Sequence, residues 1–380
     1  MQHSISYMQF RGGSSKGLFF NAKDLPTDII ERNKIILAAM EGVGNGDPRQ
    51  IDGLGGGTSL TSKVAIISLS ADSQPQVTNT LDYLFLQVVI GKGKISDTQT
   101  CGNILAGVVP FAIESGMIPA TIPTTSAKVK IINTGGICEI TVQTPKGFVE
   151  YAGTTKVDGV PGTAAPIICN YLNIEGATCG ALFPTGNRTD IVEGIEVTCI
   201  DNGMPEVIIR AKDLDISGYE SPKELDANEL LKKKLESIRL QIGPKMNLGD
   251  VYEKTIPKMC IISLPKEGGI INTRTFIPHV CHEAIGVLGA VSTATACVIE
   301  GTIANQMLNI GHQTLETKQF PASKFKNLIS ELSVEHPSGE FTVNLEIEKD
   351  EAGQVKIKNA GVIRTARLLS KGEVFIPNFL

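Results

Sequence analysis

Cys101, Gly102 and Asn103 stand directly before an apolar run rich in Gly and Ala that reaches Glu114. A thiol at the start of a helix lies where unpaired N–H groups and the helix dipole favour its thiolate. The same N–H groups can hold a carboxylate, and Asn103 adds a side-chain donor. A plain buried cysteine is the competing reading, since most free thiols behave as small apolar side chains. Lys63 closes the glycine-rich loop Gly55-Gly56-Gly57-Thr58-Ser59-Leu60-Thr61-Ser62 and opens the strand-like Val64–Leu69. A lysine leading into a buried strand is partly desolvated, which moves an amine toward the range of a general base. Taken alone it also reads as an edge lysine reaching to water. Thr61 and Ser62 are counted with it as substrate contacts.

The turn Arg11-Gly12-Gly13-Ser14-Ser15-Lys16-Gly17 offers backbone N–H groups, the hydroxyls of Ser14 and Ser15, and the cations Arg11 and Lys16. Such a set can cradle a carboxylate, although an ordinary glycine turn between strands has the same composition. It is not a phosphate-binding P-loop, because a strand follows and the GxxxxGK[ST] spacing is missing. Gly42-Val43-Gly44-Asn45-Gly46 does not complete GxGxxG, so no nucleotide cofactor is expected. His279, Cys281 and His282 cluster without a fourth ligand at the usual spacing, so no metal is expected either. Cys281 and His282 instead open a second apolar run, and Arg274 upstream is a planar fork suited to a carboxylate. These three are expected to contact substrate.

The elements that must position these residues occur twice. Leu18–Leu25 is echoed by Val207–Leu214, Ser62–Leu69 by Pro257–Leu264, and the run from Cys101 to Glu114 by that from Cys281 to Glu300. Three collinear echoes indicate a duplicated domain and not a solenoid, whose period is about 20–50 residues. Strands are expected at Val64–Leu69, Tyr83–Ile90, Ala127–Ile132 and Glu139–Thr144 in the first half. The second half offers Ile195–Ile200, Glu206–Ala211, Met259–Leu264 and Glu340–Glu348. Enclosed helices are expected at Ile104–Glu114 and Ala284–Glu300, and surface helices at Asp28–Met40 and Pro222–Gln241. Most strands are not separated by helices, so the fold class is α+β with mainly antiparallel sheets. The domain change falls within the Gly/Pro/Thr-rich stretch Asp158–Asp190. This gives domains 1–185 and 186–380, with C-terminal strands crossing back to the first.

The chain has 380 residues, 42 % of them hydrophobic and 20 % charged, enough for two ordinary cores. A formal net charge of −5 argues against a nucleic-acid partner. The stretch Ala284–Ile303 carries Glu300 and reads as a buried helix, so no membrane partner is expected. Met1–Phe10 lacks a signal-peptide pattern, and eight cysteines show no CxxC pair, which together point to the cytoplasm.

Several segments together resemble the PrpF-like isomerases of aconitate, methylitaconate and 4-oxalomesaconate, which are related in fold to diaminopimelate epimerase. The carriers are Met8–Gly17, Ile51–Lys63, Cys101–Asn103, Asp158–Pro166, Glu335–Gly339 and Gly361–Arg367. Their wording is most similar to the 4-oxalomesaconate tautomerase branch, which serves aromatic-acid catabolism. The resemblance implies two domains, each with a sheet wrapped around a central helix, and a site between them. It further implies that Lys63 and Cys101 are a catalytic pair moving a proton on a small polycarboxylate without a cofactor. Cys281 matches the second cysteine of the epimerase relatives. It is followed by His282 and Glu283 instead of a Gly-rich run, which weakens any two-thiol racemisation. Oligomeric state stays open, a homodimer included. The alternatives are isomerisation of aconitate or methylitaconate, amino-acid epimerisation, and a role as accessory to an iron–sulfur dehydratase, the last without cluster-like Cys spacing.

Overall fold

The computed structural model describes residues 2–43, 46–71, 79–98, 100–314, 328–349 and 355–377. They fall into two compact units. One comprises the chain through Leu172 together with the segment from Ile363 onward, and the other runs from Asn173 to Val362.

The first unit begins with a hairpin, β1 (Gln2–Gly12) and β2 (Ser15–Asn21), followed by a 3-10 turn at Ala22–Asp24 and helix α1 (Ile29–Glu41). Asp28 caps α1 by accepting from the N–H groups of Ile30 and Glu31, the donors that a helix start leaves orphaned. Next come β3 (Lys63–Leu69), β4 (Thr80–Val89), β5 (Lys94–Ser96), α2 (Gly102–Leu105), α3 (Val108–Glu114), β6 (Thr124–Ile131), β7 (Ile137–Gln143) and β8 (Ile167–Leu172). β3 runs parallel to β2 and antiparallel to β4.

The second unit contains β9 (Asp190–Val192), β10 (Ile195–Asp201), β11 (Pro205–Arg210), a 3-10 turn at Ala211–Leu214, α4 (Pro222–Ala227) and α5 (Glu229–Ile242). These are followed by β12 (Lys258–Ser263), β13 (Ile271–Phe276), α6 (Val287–Val298), α7 (Ile303–Thr314), β14 (Leu328–His336), β15 (Gly339–Lys349) and most of β16 (Val355–Arg364). β12 is parallel to β11 and antiparallel to β13.

The echoes read from the sequence are therefore one local design used twice. In each unit a strand runs into a 3-10 turn and helix, then into a parallel strand, then into an antiparallel one. The fold is α+β with two duplicated units, as expected. In the second unit α6 is buried from Gly289 to Cys297 and packs on β10, β11, β14 and β15. In the first unit, α2 and α3 pack on β1, β2, β3, β6 and β7.

Three expected elements differ in detail. The helix expected at Ile104–Glu114 is broken at Ala106–Gly107 into α2 and α3. Pro110 has no N–H to give an uninterrupted helix, and the break places it in the first turn of α3, where none is needed. The expected Ala284–Glu300 helix starts later, at Val287. The surface helix expected at Pro222–Gln241 is two helices, because Asn228 leaves the helical region and caps α5 through Leu231 N–H. On that charged helix Arg239 is fully buried beside Ile238. Its Nη1 donates to the carbonyls of Val251, Lys254 and Ile256, and Glu236 pairs with its Nε.

The last strand, β17 (Ala366–Pro377), belongs to the first unit. It pairs antiparallel with β1 from Gln2↔Pro377 to Gly12↔Ala366, and its Val374 and Ile376 join that unit's core.

Candidate active site

The β1–β2 turn is the point on which the sequence motifs of the first unit converge. Gly13 N–H donates to Thr365 O at 2.8 Å, and Arg11 Nη1 donates to Gly13 O, Thr365 O and Thr365 Oγ1 at 2.9, 3.1 and 3.0 Å. The Arg-Gly-Gly turn is thus bonded to Thr365 within the first unit. Arg11 spends that nitrogen on the turn itself. Asn103 Nδ2 donates to Ser14 Oγ at 3.1 Å. Gly12 and Gly13 press so closely on Asn103 that a Cβ at either would lie 2.2 Å from one of its oxygens, and Gly13 has φ +49°. Only glycine fits there. From the Asp158–Pro166 segment, Gly159 approaches Ser14. Ser15 Oγ is buried and has no hydrogen-bond partner among the described residues. Lys16 is half-buried, and its N–H donates to Leu60 O of the glycine-rich loop.

Lys63 is the first residue of β3 and pairs with Gly17 on one side and Gln87 on the other. It is 8 % exposed. A Cβ on Gly17 would lie 2.5 Å from Lys63 O and 3.2 Å from Ile104 Cδ1, so Lys63, β2 and the first turn of α2 are in close contact. Lys63 Nζ donates to Gln87 Oε1 at 2.8 Å and lies 5.2 Å from the centre of the Phe85 ring. No salt bridge to Lys63 exists among the described residues.

Cys101 is half-buried and is the N-cap of α2, with no side-chain cap bond. Because α2 is four residues long, the expected long-helix dipole reduces to the local N–H groups of the Gly102–Asn103 turn. Tyr83 Oη, fully buried, donates to Cys101 O at 3.3 Å. Arg364 is buried nearby. Burial pushes its guanidinium down to about 10, opposed by Cys169, Tyr171 and Cys101.

The other loop residues turn inward. Ser62 Oγ donates to Gln50 Oε1 at 2.7 Å, and Gly57 N–H donates to the same oxygen. Thr61 Oγ1 is held by Thr58. Gln50 and Gln87 organise the glycine-rich loop and Lys63, and the sequence reading missed both. A single glutamine inside the apolar run Leu84–Val89 was the signal for Gln87, because a buried amide must find partners.

Arg274, Cys281 and His282 form their own cluster in the second unit. Arg274 donates from Nε to Glu220 O and from Nη1 to Asn272 Oδ1 and Thr273 O. Cys281 N–H donates to Asp226 Oδ1, and burial with Asp226 pushes the Cys281 thiol up to about 12, although Arg274 opposes this. At neutral pH that thiol stays protonated. His282 Nδ1 accepts from Ala284 N–H at 2.8 Å, and burial lowers the ring's pKa, with Lys258 adding to the effect. His279 is exposed, 3.9 Å from Glu236.

Lys258 stands at the place in the duplicate that Lys63 holds in the first unit, but its parallel partner is Glu206 and not a glycine. Glu206 is fully buried. Thr293 Oγ1 donates to its Oε2 at 2.9 Å, and its Oε1 has no partner among the described residues. Burial pushes Glu206 up to about 8, opposed by Thr293 and Lys258, and pushes Lys258 down to about 8, opposed by Glu206. The folded Glu206 carboxyl holds its proton well above its ordinary 4.5, so its contribution to stability falls as pH rises between 4.5 and about 8. Lys258 contributes its own change only above about 8. Glu206→Gln should therefore gain in melting temperature over the wild type progressively from about pH 5 to 8, then level off. A constant offset across that range would contradict the protonated, buried carboxyl.

A buried lysine and a half-buried, helix-capping thiol thus belong to the elements gathered about one glycine turn of this duplicated α+β chain. The chain belongs to the PrpF protein family, whose profile matches residues 2–377. It is 50 % identical over 375 residues to 4-oxalomesaconate tautomerase of Pseudomonas putida, covering 99 % of this chain and 97 % of that protein. It is 48 % identical to (4E)-oxalomesaconate Delta-isomerase of Novosphingobium, covering 98 % of each. The crystal structure of methylitaconate-delta-isomerase superposes with a TM-score of 0.81 at 30 % identity, covering 99 % of this chain and 96 % of that one. Among the described residues no helix is long and apolar enough to cross a membrane.

Proposed function

We propose that this chain is an isomerase acting on 4-oxalomesaconate, with Lys63 as the base and Cys101 as the second proton-handling group. The observation that carries the reading is identity of 50 % along 99 % of the chain to a tautomerase of that acid. The placement of Lys63 fits the role, as a buried amine bonded to a neutral amide. As the base, Lys63 takes a proton from the C–H beside the conjugated system, the C–H electrons pass into that system, and a dienolate forms. The unpartnered Ser15 hydroxyl and the N–H groups at Gly102 and Asn103 are suited to stabilise its charge. Cys101 then returns its thiol proton at the other end, and the proton that Lys63 took passes through solvent to the resulting Cys101 thiolate, which restores both groups.

Purified protein should change the ultraviolet absorbance of 4-oxalomesaconate with a higher kcat/KM than that of methylitaconate or 2-methylaconitate. Preference for either of the latter would replace the substrate while leaving the reaction class. In D2O, deuterium in a 1,3-relation to the lost proton marks double-bond migration, whereas its appearance only at exchangeable keto–enol positions marks tautomerisation. Turnover by the protein alone dismisses a purely accessory role, and label at a chiral α-carbon of an amino acid would instead favour epimerisation.

A further inference from the structure

Lys63 sits in a polar arrangement that the proposed reaction does not by itself explain. Its nitrogen bonds to Gln87 Oε1 at 2.8 Å. Gln87 Nε2 donates to three backbone carbonyls, Ser59 O at 3.2 Å, Ser62 O at 3.0 Å and Val88 O at 3.2 Å. Those three acceptors dictate the orientation of the amide, since only the NH2 end can face them and the oxygen must then face Lys63. Ser59 and Ser62 belong to the loop that delivers Lys63. One side chain thus fixes both the loop and the amine.

Among the described residues, the strand partners of Lys63 carry no formal negative charge, and the buried carboxyl of Glu41 in α1 is met by Gln50. β2 presents Gly17, and β4 presents Gln87 and Phe85. The start of α2 comes close through Ile104, which meets Gly17 beside Lys63, and Cys101 is the N-cap of that helix. Lys23 and Asp24 follow β2 and meet β3 at its opposite end, because Asn21 pairs with Ile67. Glu114 of α3 accepts from Tyr151 Oη. In the duplicate, the corresponding lysine has the carboxyl of Glu206 as its parallel partner. The same scaffold is thus used with a glycine and a neutral amide in one unit and with an acid in the other.

We infer that Gln87 is the positioning residue for the Lys63 amine, holding its nitrogen in a fixed direction through an uncharged acceptor. This rests on the reading of Lys63 as the base. A neutral amine directed by one accepted N–H bond keeps its lone pair for the substrate C–H, and the ammonium formed in the reaction is met by the amide oxygen dipole. A carboxylate in the same place would hold the amine as ammonium before substrate arrives.

The test is the pH dependence of kcat between about pH 5 and 10 in the wild type and in Gln87→Glu, Gln87→Asn and Lys63→Ala. A nearby anion raises the pKa of an amine by about 1–3 units. In Gln87→Glu the acid limb should therefore move upward by at least one unit, with turnover below it falling about tenfold per unit and recovering at high pH. Loss of the three carbonyl bonds alone would lower activity at every pH without moving the limb. An unmoved limb overturns the inference. If Gln87→Glu does not fold, the shorter uncharged Gln87→Asn decides: kcat at least about fivefold lower with KM within about twofold supports it, the pattern of a group felt in the transition state. Unchanged kcat overturns it. Full activity in Lys63→Ala removes the base role itself, whereas its loss together with an unmoved limb in Gln87→Glu removes only the assignment of Gln87.

Discussion

Lys63→Ala is expected to lower kcat by about 10²–10⁴-fold, the range that a positioned general base supplies. The substitution truncates a side chain whose amine, among the described residues, donates to Gln87 Oε1, and Gln87 keeps its three carbonyl partners. The folded state should therefore survive, with a melting temperature close to the wild type. The proton-abstraction step should disappear with turnover, so substrate incubated with the variant in D2O should keep its C–H protium. Circular dichroism and NMR of the recovered substrate check the two halves of the expectation. Wild-type exchange in a folded Lys63→Ala protein would assign abstraction to another group.

Cys101→Ala is expected to lower kcat at least about tenfold, and Cys101→Ser comparably, because a serine hydroxyl is a far weaker acid than a thiol. The informative difference from Lys63→Ala is in exchange. If Lys63 removes the proton and Cys101 returns one at the far end, Cys101→Ala should still wash the first proton into solvent while product formation falls. Loss of exchange and turnover together would show that the thiol serves the abstraction step. Cys101 makes no side-chain cap bond to α2, so neither variant removes a bond on which the helix depends.

How much of this was legible in the sequence follows from the range of the interactions involved. The duplicated strand–turn–helix units were readable because each echo is local, with short apolar runs such as Ser62–Leu69 and Pro257–Leu264 standing between turn signals. Lys63, Cys101 and the Arg11–Gly17 turn were readable for the same reason: glycines and a chemistry-bearing side chain stand next to an apolar run. The pairing of β1 with β17 joins residues from opposite ends of the chain, and no local pattern specifies it. The break between α2 and α3 had its signal in Pro110 and Gly107, outweighed by the apolar run around them. Gln50 left no signal as a functional support, and Gln87 only its isolation in an apolar run, because their value lies in which carbonyls and N–H groups they meet, which is a property of the folded loop. Arg239 was hidden in a charged helix for the opposite reason, since composition does not say which of many charges is turned inward.

The placement of β17 also bears on how the protein is made. Synthesis delivers β1 first and its partner more than three hundred residues later, after every residue of the second unit. At about 5–20 residues per second, the nascent first unit waits tens of seconds with one side of β1 uncovered. The later-born unit has all of its strands before the earlier one does. A chaperone or the ribosome surface has that interval in which to shield the waiting edge.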